Sequence, residues 1–348
     1  MCFKLFINDV GIDLGTANTL IYFKGKGIIL NEPSVIAVDS HTKQVLATGK
    51  DAKLMVGRSP DSIKVVKPLQ DGVISDFSMT QAMLKDFLRK AIPSKSILTR
   101  TRIVVGVPSG VTEVEKRAVQ EVVHQMGARD IFIMDEPMAA AIGCGLAVEN
   151  PKGCMVADIG GGTSDIAIIS LGGIVASTSL RVAGDKMDEA IILYMRKNFN
   201  LLIGDKTAEE IKIKIGCVSH NLIHTEEVLE AEVRGRDLIN GLPRILKVTS
   251  IDIMKALEEP INDIVEGIKQ TLENAPPEIA ADIMDAGMVV TGGGALIRGI
   301  DKLITQETGL KVLISEKPLE DVALGTGKSL DNIERILNTE SQRRNVYR

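Results

Sequence analysis

Two short runs of this sequence set an aspartate, glycine and threonine in the same order. Val10-Gly11-Ile12-Asp13-Leu14-Gly15-Thr16 returns as Met155-Val156-Ala157-Asp158-Ile159-Gly160-Gly161-Gly162-Thr163. In each, an apolar run carrying the Asp meets a Gly/Thr turn. A second β-rich run follows, Thr19 to Phe23 in one and Ile166 to Ser170 in the other. The expected local structure of both is strand, glycine turn, strand. Glycine reaches positive φ and lets the backbone approach a ligand closely, so successive amide N–H groups of such a turn can converge on phosphate oxygens. Threonine and asparagine side chains add donors. A carboxylate at the strand end can hold a hydrated Mg²⁺ whose charge offsets the phosphates. One such motif alone more often marks an ordinary turn. Two, with Asp13 and Asp158 at equivalent places, predict facing hairpins that clamp a polyphosphate from both sides. A third glycine cluster, Val289-Val290-Thr291-Gly292-Gly293-Gly294-Ala295, follows another apolar strand and opens a helical pattern, a geometry whose free amides suit polar groups of a nucleotide.

Two further motifs carry less. Gly325-Thr326-Gly327-Lys328-Ser329 has the end of a phosphate-binding P-loop, but the first glycine that the motif needs would stand at Val322 and no strand precedes it. A small-residue helix packed closely on a neighbour is the expectation there. Cys217, His220 and His224 have metal-like spacing, yet a structural zinc site takes four ligands and no fourth Cys or His is near; a polar loop after the helix containing Lys212 is expected instead.

The elements that position these residues follow from length and composition. At 348 residues the chain exceeds the size at which one core keeps growing, so two lobes or a duplicated unit with a cleft between them are expected. Aromatics make up only 3% and Trp is absent, so Ile, Val, Leu, Ala and Met must build the core. A net charge of −5 argues against nucleic acid as a partner, since phosphate neutralisation needs clustered Lys and Arg. The four cysteines, Cys2, Cys144, Cys154 and Cys217, lack the paired spacing of a disulfide framework and suggest reduced cytoplasmic thiols. No apolar stretch approaches the roughly 20 residues of a spanning helix, so membrane contact is expected to be peripheral at most.

Further runs extend the pattern: Asn31-Glu32-Pro33-Ser34-Val35, Asp71-Gly72-Val73-Ile74, Glu136-Pro137-Met138-Ala139-Ala140-Ala141-Ile142-Gly143, Ala183-Gly184-Asp185, Thr207-Ala208-Glu209 and Gly241-Leu242-Pro243-Arg244. With the hairpins and the third glycine cluster, and in this order, they make the chain resemble the MreB/Mbl family of bacterial actin-like cell-shape proteins from Asp9 to about Asn332. That resemblance implies an α/β actin-like ATPase fold: two RNase H-like lobes, each with an inserted subdomain, around a nucleotide cleft. The implied divisions are 1–32, 76–145 and 318–348 for the first lobe with 33–75 inserted, and 146–181 and 247–317 for the second with 182–246 inserted.

The family further implies ATP and Mg²⁺ as ligands. Gly15, Thr16, Ala17 and Asn18 would hold the terminal phosphates from one side and Gly160, Gly161, Gly162 and Thr163 from the other. Asp13 and Asp158 would orient Mg²⁺ and its waters. Gly184 and Asp185 would approach ribose and phosphates, Glu209 and Lys212 the adenosine, and Gly292, Gly293, Gly294 and Ala295 the adenine side. Glu136 would orient the water that attacks the γ-phosphate, with Thr163 helping to position it; Glu136 also suits the N-terminus of a helix beginning at Pro137. Asp135, where relatives usually carry Glu, and Ser164-Asp165 depart conservatively and bear on turnover rate. A slow Mg-dependent ATPase coupled to filament assembly is implied, as a homopolymer of paired protofilaments working with the cell-wall elongation machinery at the inner face of the cytoplasmic membrane to set rod shape.

Two local features point to that membrane. Phe3, Leu5 and Phe6 flank Lys4, and Ile97 and Leu98 sit among Lys95, Arg100 and Arg102. Apolar side chains inserted beside cations that are drawn to anionic lipid bind weakly, and many subunits in a filament multiply that binding. In the family the loop corresponding to Ile97 and Leu98 inserts into the membrane. The helix from Thr112 to Met126 carries Val114, Ala118, Val119, Val122 and Val123, which the sequence does not divide between core and interface. Competing readings of the same fold are a sugar or acetate kinase, which needs an acceptor pocket, and a DnaK-type chaperone ATPase, which needs a substrate-binding domain that a sequence ending at Arg348 is not expected to hold. A plasmid-segregating filament is a third, and the Gly241-Leu242-Pro243-Arg244 run argues against it.

Overall fold

The computed structural model describes residues 7–92, 100–128, 130–219 and 228–331. Phe3, Leu5, Phe6, Ile97, Leu98, His220 and His224 lie outside them. The chain opens with the expected hairpin, β1 (Ile7–Leu14) and β2 (Asn18–Phe23), and continues into β3 (Gly27–Pro33). Three short strands, β4 (Ile36–Asp39), β5 (Val45–Thr48) and β6 (Ile63–Val66), form a small sheet of order β5-β4-β6. A tight hairpin, β7 (Leu69–Gln70) and β8 (Val73–Ile74), turns at Asp71 and Gly72, both at positive φ. Asp-Gly is the residue pair that such a two-residue turn favours. β9 (Arg100–Val107) and β10 (Asp130–Asp135) then complete a five-stranded sheet of order β10-β9-β1-β2-β3.

The second half repeats this plan. β11 (Cys154–Ile159), β12 (Ser164–Ser170) and β13 (Gly173–Leu180) form an antiparallel meander. β14 (Leu201–Leu202), β15 (Glu230–Asp237) and β16 (Pro243–Thr249) make a separate three-stranded sheet. β17 (Met288–Thr291) and β18 (Val312–Ile314) return to give the order β13-β12-β11-β17-β18. In both large sheets the first strand runs antiparallel to its hairpin partner and parallel to the late strand on its other side. The two sheets therefore share strand order and sense. The similarity between the Asp13 and Asp158 motifs marks a repeated fold unit, with both aspartates at the C-terminal end of the equivalent strand.

Each lobe has its own apolar core, and a third cluster joins them. It combines Val104 and Met134 from the first sheet, Val156, Ala167 and Ile169 from the second, and Met138 to Ala141 from the helix Glu136–Gly143. That helix crosses the helix Asp321–Ser329 with their backbones touching: a Cβ on Gly325 would overlap the carbonyl oxygen of Ala139, and one on Gly143 that of Asp321. Gly327 lies equally close to the ring of Tyr22. The Gly325–Ser329 run is thus the expected small-residue helix, and its glycines are there for helix packing.

The helix expected from Thr112 to Met126 spans Glu113–Gln125, capped by Thr112 with Glu115 completing a capping box. Val119, Val122 and Val123 are buried, whereas Val114 is 77% exposed. One expectation needs correction. The third glycine cluster does not open a helix directly: Gly293–Leu296 is a single 3₁₀ turn, and the helix proper spans Ile300–Thr308, starting after Gly299 at φ +84°. Two backbone positions there, Gly292 at φ +81° and Gly299, require left-handed conformation, which breaks the α-helical run. Among the described residues, no helix is long and apolar enough to cross a membrane.

Candidate functional site

The C-terminal ends of β1 and β11 face one another across a cavity of about 440 Å³. The turns that follow them nearly touch. A Cβ on Gly161 would lie 2.6 Å from Cβ of Ala17, and one on Gly162 would overlap the hydroxyl of Thr16. Glycine is required at both positions by this close approach. Gly72, from the β7–β8 turn, wedges between the two: its amide donates to Oγ1 of Thr16 at 3.1 Å, and a Cβ there would meet Cγ2 of Thr163 at 2.7 Å. Each turn is braced from behind. Ser34 donates from Oγ to the carbonyl of Gly15 at 2.7 Å, and the Gly184 and Asp185 amides donate to the carbonyls of Gly160 and Gly161 at 3.1 and 2.7 Å.

Asp13, Gly15, Thr16, Ala17, Asn18, Glu136, Asp158, Gly160, Gly161, Gly162, Thr163, Gly184, Asp185, Glu209, Lys212, Gly292, Gly293 and Gly294 all line this cavity. Ala295 does not; it is buried in the core of the second lobe. Gly292 sits against Asp158 and the carbonyl of Ile159, so the third cluster docks on the end of β11. Lys212 is held by Asp188 at 2.9 Å and by the carbonyl of Gly184 at 2.7 Å.

Six carboxylates, those of Asp13, Glu136, Asp158, Asp185, Asp188 and Glu209, line the cavity against one lysine, Lys212. Burial pushes the Asp13 carboxyl up to about 7. Burial also holds Glu136 well above the usual carboxylate range, reinforced by repulsion from Asp165, Asp13, Asp158 and Asp135. Asp158 is raised for the same reasons, burial first and then Asp13, Asp165 and Asp321. Asp188 rises to about 6 by burial, against the pull of Lys212. Desolvated like charges favour protons, and a cation entering among them would replace those protons. That is a donor set suited to a divalent cation, although no three His, Cys, Asp or Glu among the described residues are grouped tightly enough to hold a metal by themselves. Water and phosphate oxygens would have to complete the shell.

The raised values fix a pH dependence for the ligand-free protein. The folded state holds protons on Asp13 between about 7 and the unfolded value of about 4, so stability grows as pH falls through that window. Thermal melts without nucleotide or metal are expected to shift upward from roughly pH 8 to roughly pH 5.5. A melting temperature that falls steadily over that range would contradict these raised proton affinities.

The family model for MreB/Mbl protein matches residues 7–338. The chain belongs to the MreB/Mbl family. It is 47% identical to cell shape-determining protein Mbl of Bacillus subtilis over 332 residues, 95% of this chain and 98% of that protein. It is 50% identical to cell shape-determining protein MreB of Escherichia coli K12 over 334 residues, 95% of each. Among solved structures, MreB 5 of Spiroplasma citri bound to AMPPNP superposes with a TM-score of 0.89 at 39% identity, covering 96% of this chain and 98% of that one. The MamK double helical filament superposes with a TM-score of 0.79 at 22% identity, covering 93% and 99%, a likeness of fold. The fold is accordingly the α/β actin-like one of MreB/Mbl proteins, with two lobes built on the repeated sheets.

Several lining residues carried no signal as site residues in the sequence. Gly72 stood out only within the Asp71-Gly72-Val73-Ile74 run, and its insertion between the two phosphate-type turns is a tertiary fact. Asp165 lies outside the cavity lining yet repels Glu136 most strongly of the neighbouring charges; Ser109 donates to its Oδ1 from both amide and hydroxyl at 2.9 Å. Met187, Ile213, Leu296, Ile297, Pro318 and Leu319 form an apolar wall assembled from separate segments. Ile213, Leu296 and Leu319 are 76%, 57% and 51% exposed, open apolar surface inside the cleft.

Proposed function

We propose that this MreB/Mbl protein binds ATP with Mg²⁺ in the cavity between its lobes and hydrolyses it slowly in step with filament assembly. The observation that carries this reading is the meeting of two glycine turns, 15–18 and 160–163, over a pair of desolvated aspartates at equivalent strand ends. Amides of both turns would share the terminal phosphates, with Thr16, Asn18 and Thr163 adding hydroxyl and amide donors. The AMPPNP held by MreB 5 of Spiroplasma citri, an ATP analogue in a protein 39% identical, supports the same ligand here. The open apolar wall of Ile213, Leu296 and Leu319 suits the flat face of a base, beside Gly292 to Gly294. Glu209, Asp185 and Gly184 would face the ribose.

Mg²⁺ would supply charge neutralisation and orientation of the phosphates, held through water by Asp13 and Asp158. Glu136, at the start of its helix and enclosed by other acids, would accept a hydrogen bond from the attacking water and orient it, with Thr163 beside it. The proposed division of the chain is 1–32, 76–145 and 318–348 as the first lobe with 33–75 inserted, and 146–181 and 247–317 as the second with 182–246 inserted. The small sheets β4–β6 and β14–β16 support the two insertions. Copies of this chain would assemble into paired protofilaments, peripheral at the inner face of the cell membrane, where Phe3, Leu5, Phe6, Ile97 and Leu98 would insert. There the filament would help organise cell-wall synthesis and rod shape.

Bringing a polyphosphate into a cavity lined by six acids and one lysine is costly unless cations offset the charge. ATP affinity, read by titration of a fluorescent analogue, is therefore expected to fall at least about a hundredfold when Mg²⁺ is replaced by EDTA, a loss of about 2.7 kcal/mol or more. Equal affinity in both conditions would remove the role given to Asp13 and Asp158. Pelleting with anionic liposomes tests the membrane part separately, and is expected to be lost in Ile97→Ser/Leu98→Ser lacking the first seven residues.

A further inference from the structure

Two ion pairs cross the mouth of the cavity from one lobe to the other. Lys53 ends the short helix Lys50–Lys53 beside the small sheet β4–β6, and its Nζ lies 2.9 Å from Oε1 of Glu209 on the helix Asp205–Ile215. Lys67 directly follows β6, and its Nζ lies 3.2 Å from Oδ1 of Asp185, near the start of the helix Gly184–Phe199. The partners stand 156 and 118 residues apart in sequence, so no local preference brings them together. Both pairs bridge the two lobes across the cleft. Both acids line the cavity and neither lysine does.

We propose that Lys53 and Lys67 are positioning residues that latch the cleft over bound nucleotide, an inference that rests on the nucleotide reading above. Each lysine pairs with one oxygen of its carboxylate, Oε1 of Glu209 and Oδ1 of Asp185, which leaves the second oxygen to accept from a ribose hydroxyl. Each also neutralises an acid at the rim of a cavity crowded with negative charge, easing entry of a polyanion. Asp185 is tied to the phosphate-type turn through its amide, which donates to the carbonyl of Gly161 at 2.7 Å, so the Lys67 bond couples the first lobe's rim to that turn. The charged groups facing Lys67 are Asp185, Asp205 and Asp188, all on the second lobe, so its attraction acts wholly across the cleft. Opening the cleft must break both pairs.

The side chains involved are between about a third and two-fifths exposed. Such pairs contribute modestly and are screened by salt. The latch therefore sets the rate of release more than it sets the fold.

Release of a fluorescent ATP analogue from the full chain with Mg²⁺, followed by stopped flow at low and high KCl, tests this. Wild-type release is expected to accelerate with salt. Lys53→Ala/Lys67→Ala is expected to release roughly three- to thirtyfold faster at low salt, from two exposed pairs of ordinary strength, and to respond little to added salt. Lys53→Arg/Lys67→Arg is expected to restore slow, salt-sensitive release. A wild-type chain that binds the analogue but whose release and salt response match those of the alanine variant overturns the latch alone. A wild-type chain that fails to bind the analogue overturns the nucleotide reading and the latch with it.

Discussion

Replacing Glu136 by glutamine is expected to slow ATP hydrolysis by about 10²- to 10⁴-fold while ATP still binds. Glutamine keeps the size of the side chain and its place at the start of the helix Glu136–Gly143, so the packing of that helix against Asp321–Ser329 is undisturbed. What changes is the capacity to exchange a proton. The carboxylate is buried and surrounded by Asp165, Asp13, Asp158 and Asp135, which raise its proton affinity and make it a better acceptor for the proton of an attacking water. Glutamine stays neutral where Glu136 must shed its proton to act, so it adds nothing to the cost of bringing phosphates in, and affinity for ATP is expected to hold or rise. Phosphate release and nucleotide binding measured on the same preparation separate the two effects. Loss of both together would mean that Glu136 shapes the site without acting on water.

Gly162→Val is expected to weaken ATP binding by about 10²- to 10⁴-fold, the loss of roughly two charge-assisted hydrogen bonds to phosphate. A side chain at 162 overlaps the hydroxyl of Thr16 and approaches the amide of Gly72 at 3.0 Å, so the two turns cannot close on one phosphate. The clash lies between lobes and is relieved by opening them, so thermal stability without ligand should change little. That contrast is the diagnostic. A variant that unfolds would show the turn contact to be structural, and one that binds ATP normally would show that the turns need not meet.

The hairpins around Asp13 and Asp158 were legible because their chemistry is local: an apolar run, a glycine turn and a carboxylate at the strand end are all written within about ten residues. Their repetition also foretold two similar sheets, and the Gly325–Ser329 run was legible as a packing helix because Val322 stands where a P-loop needs glycine. The helix expected to follow Gly292 to Gly294 was displaced because the glycines that let the chain reach Asp158 also break helical conformation. Ala295 followed the same cluster in sequence but points into the core, since side-chain direction within a 3₁₀ turn is set by packing that the sequence does not state. Gly72, Asp188 and the apolar wall of Ile213, Leu296 and Leu319 come together only when distant segments fold. Lys53 and Lys67 belong to the same class, because each meets its acid across more than a hundred residues.

The most direct test of the account is sedimentation and phosphate release measured in one sample, with ATP and Mg²⁺, for wild type and Glu136→Gln side by side. Both proteins are predicted to pellet in a nucleotide-dependent way, and only the wild type to release phosphate at a measurable rate. Equal phosphate release from the two, or no nucleotide-dependent pelleting by either, would contradict it.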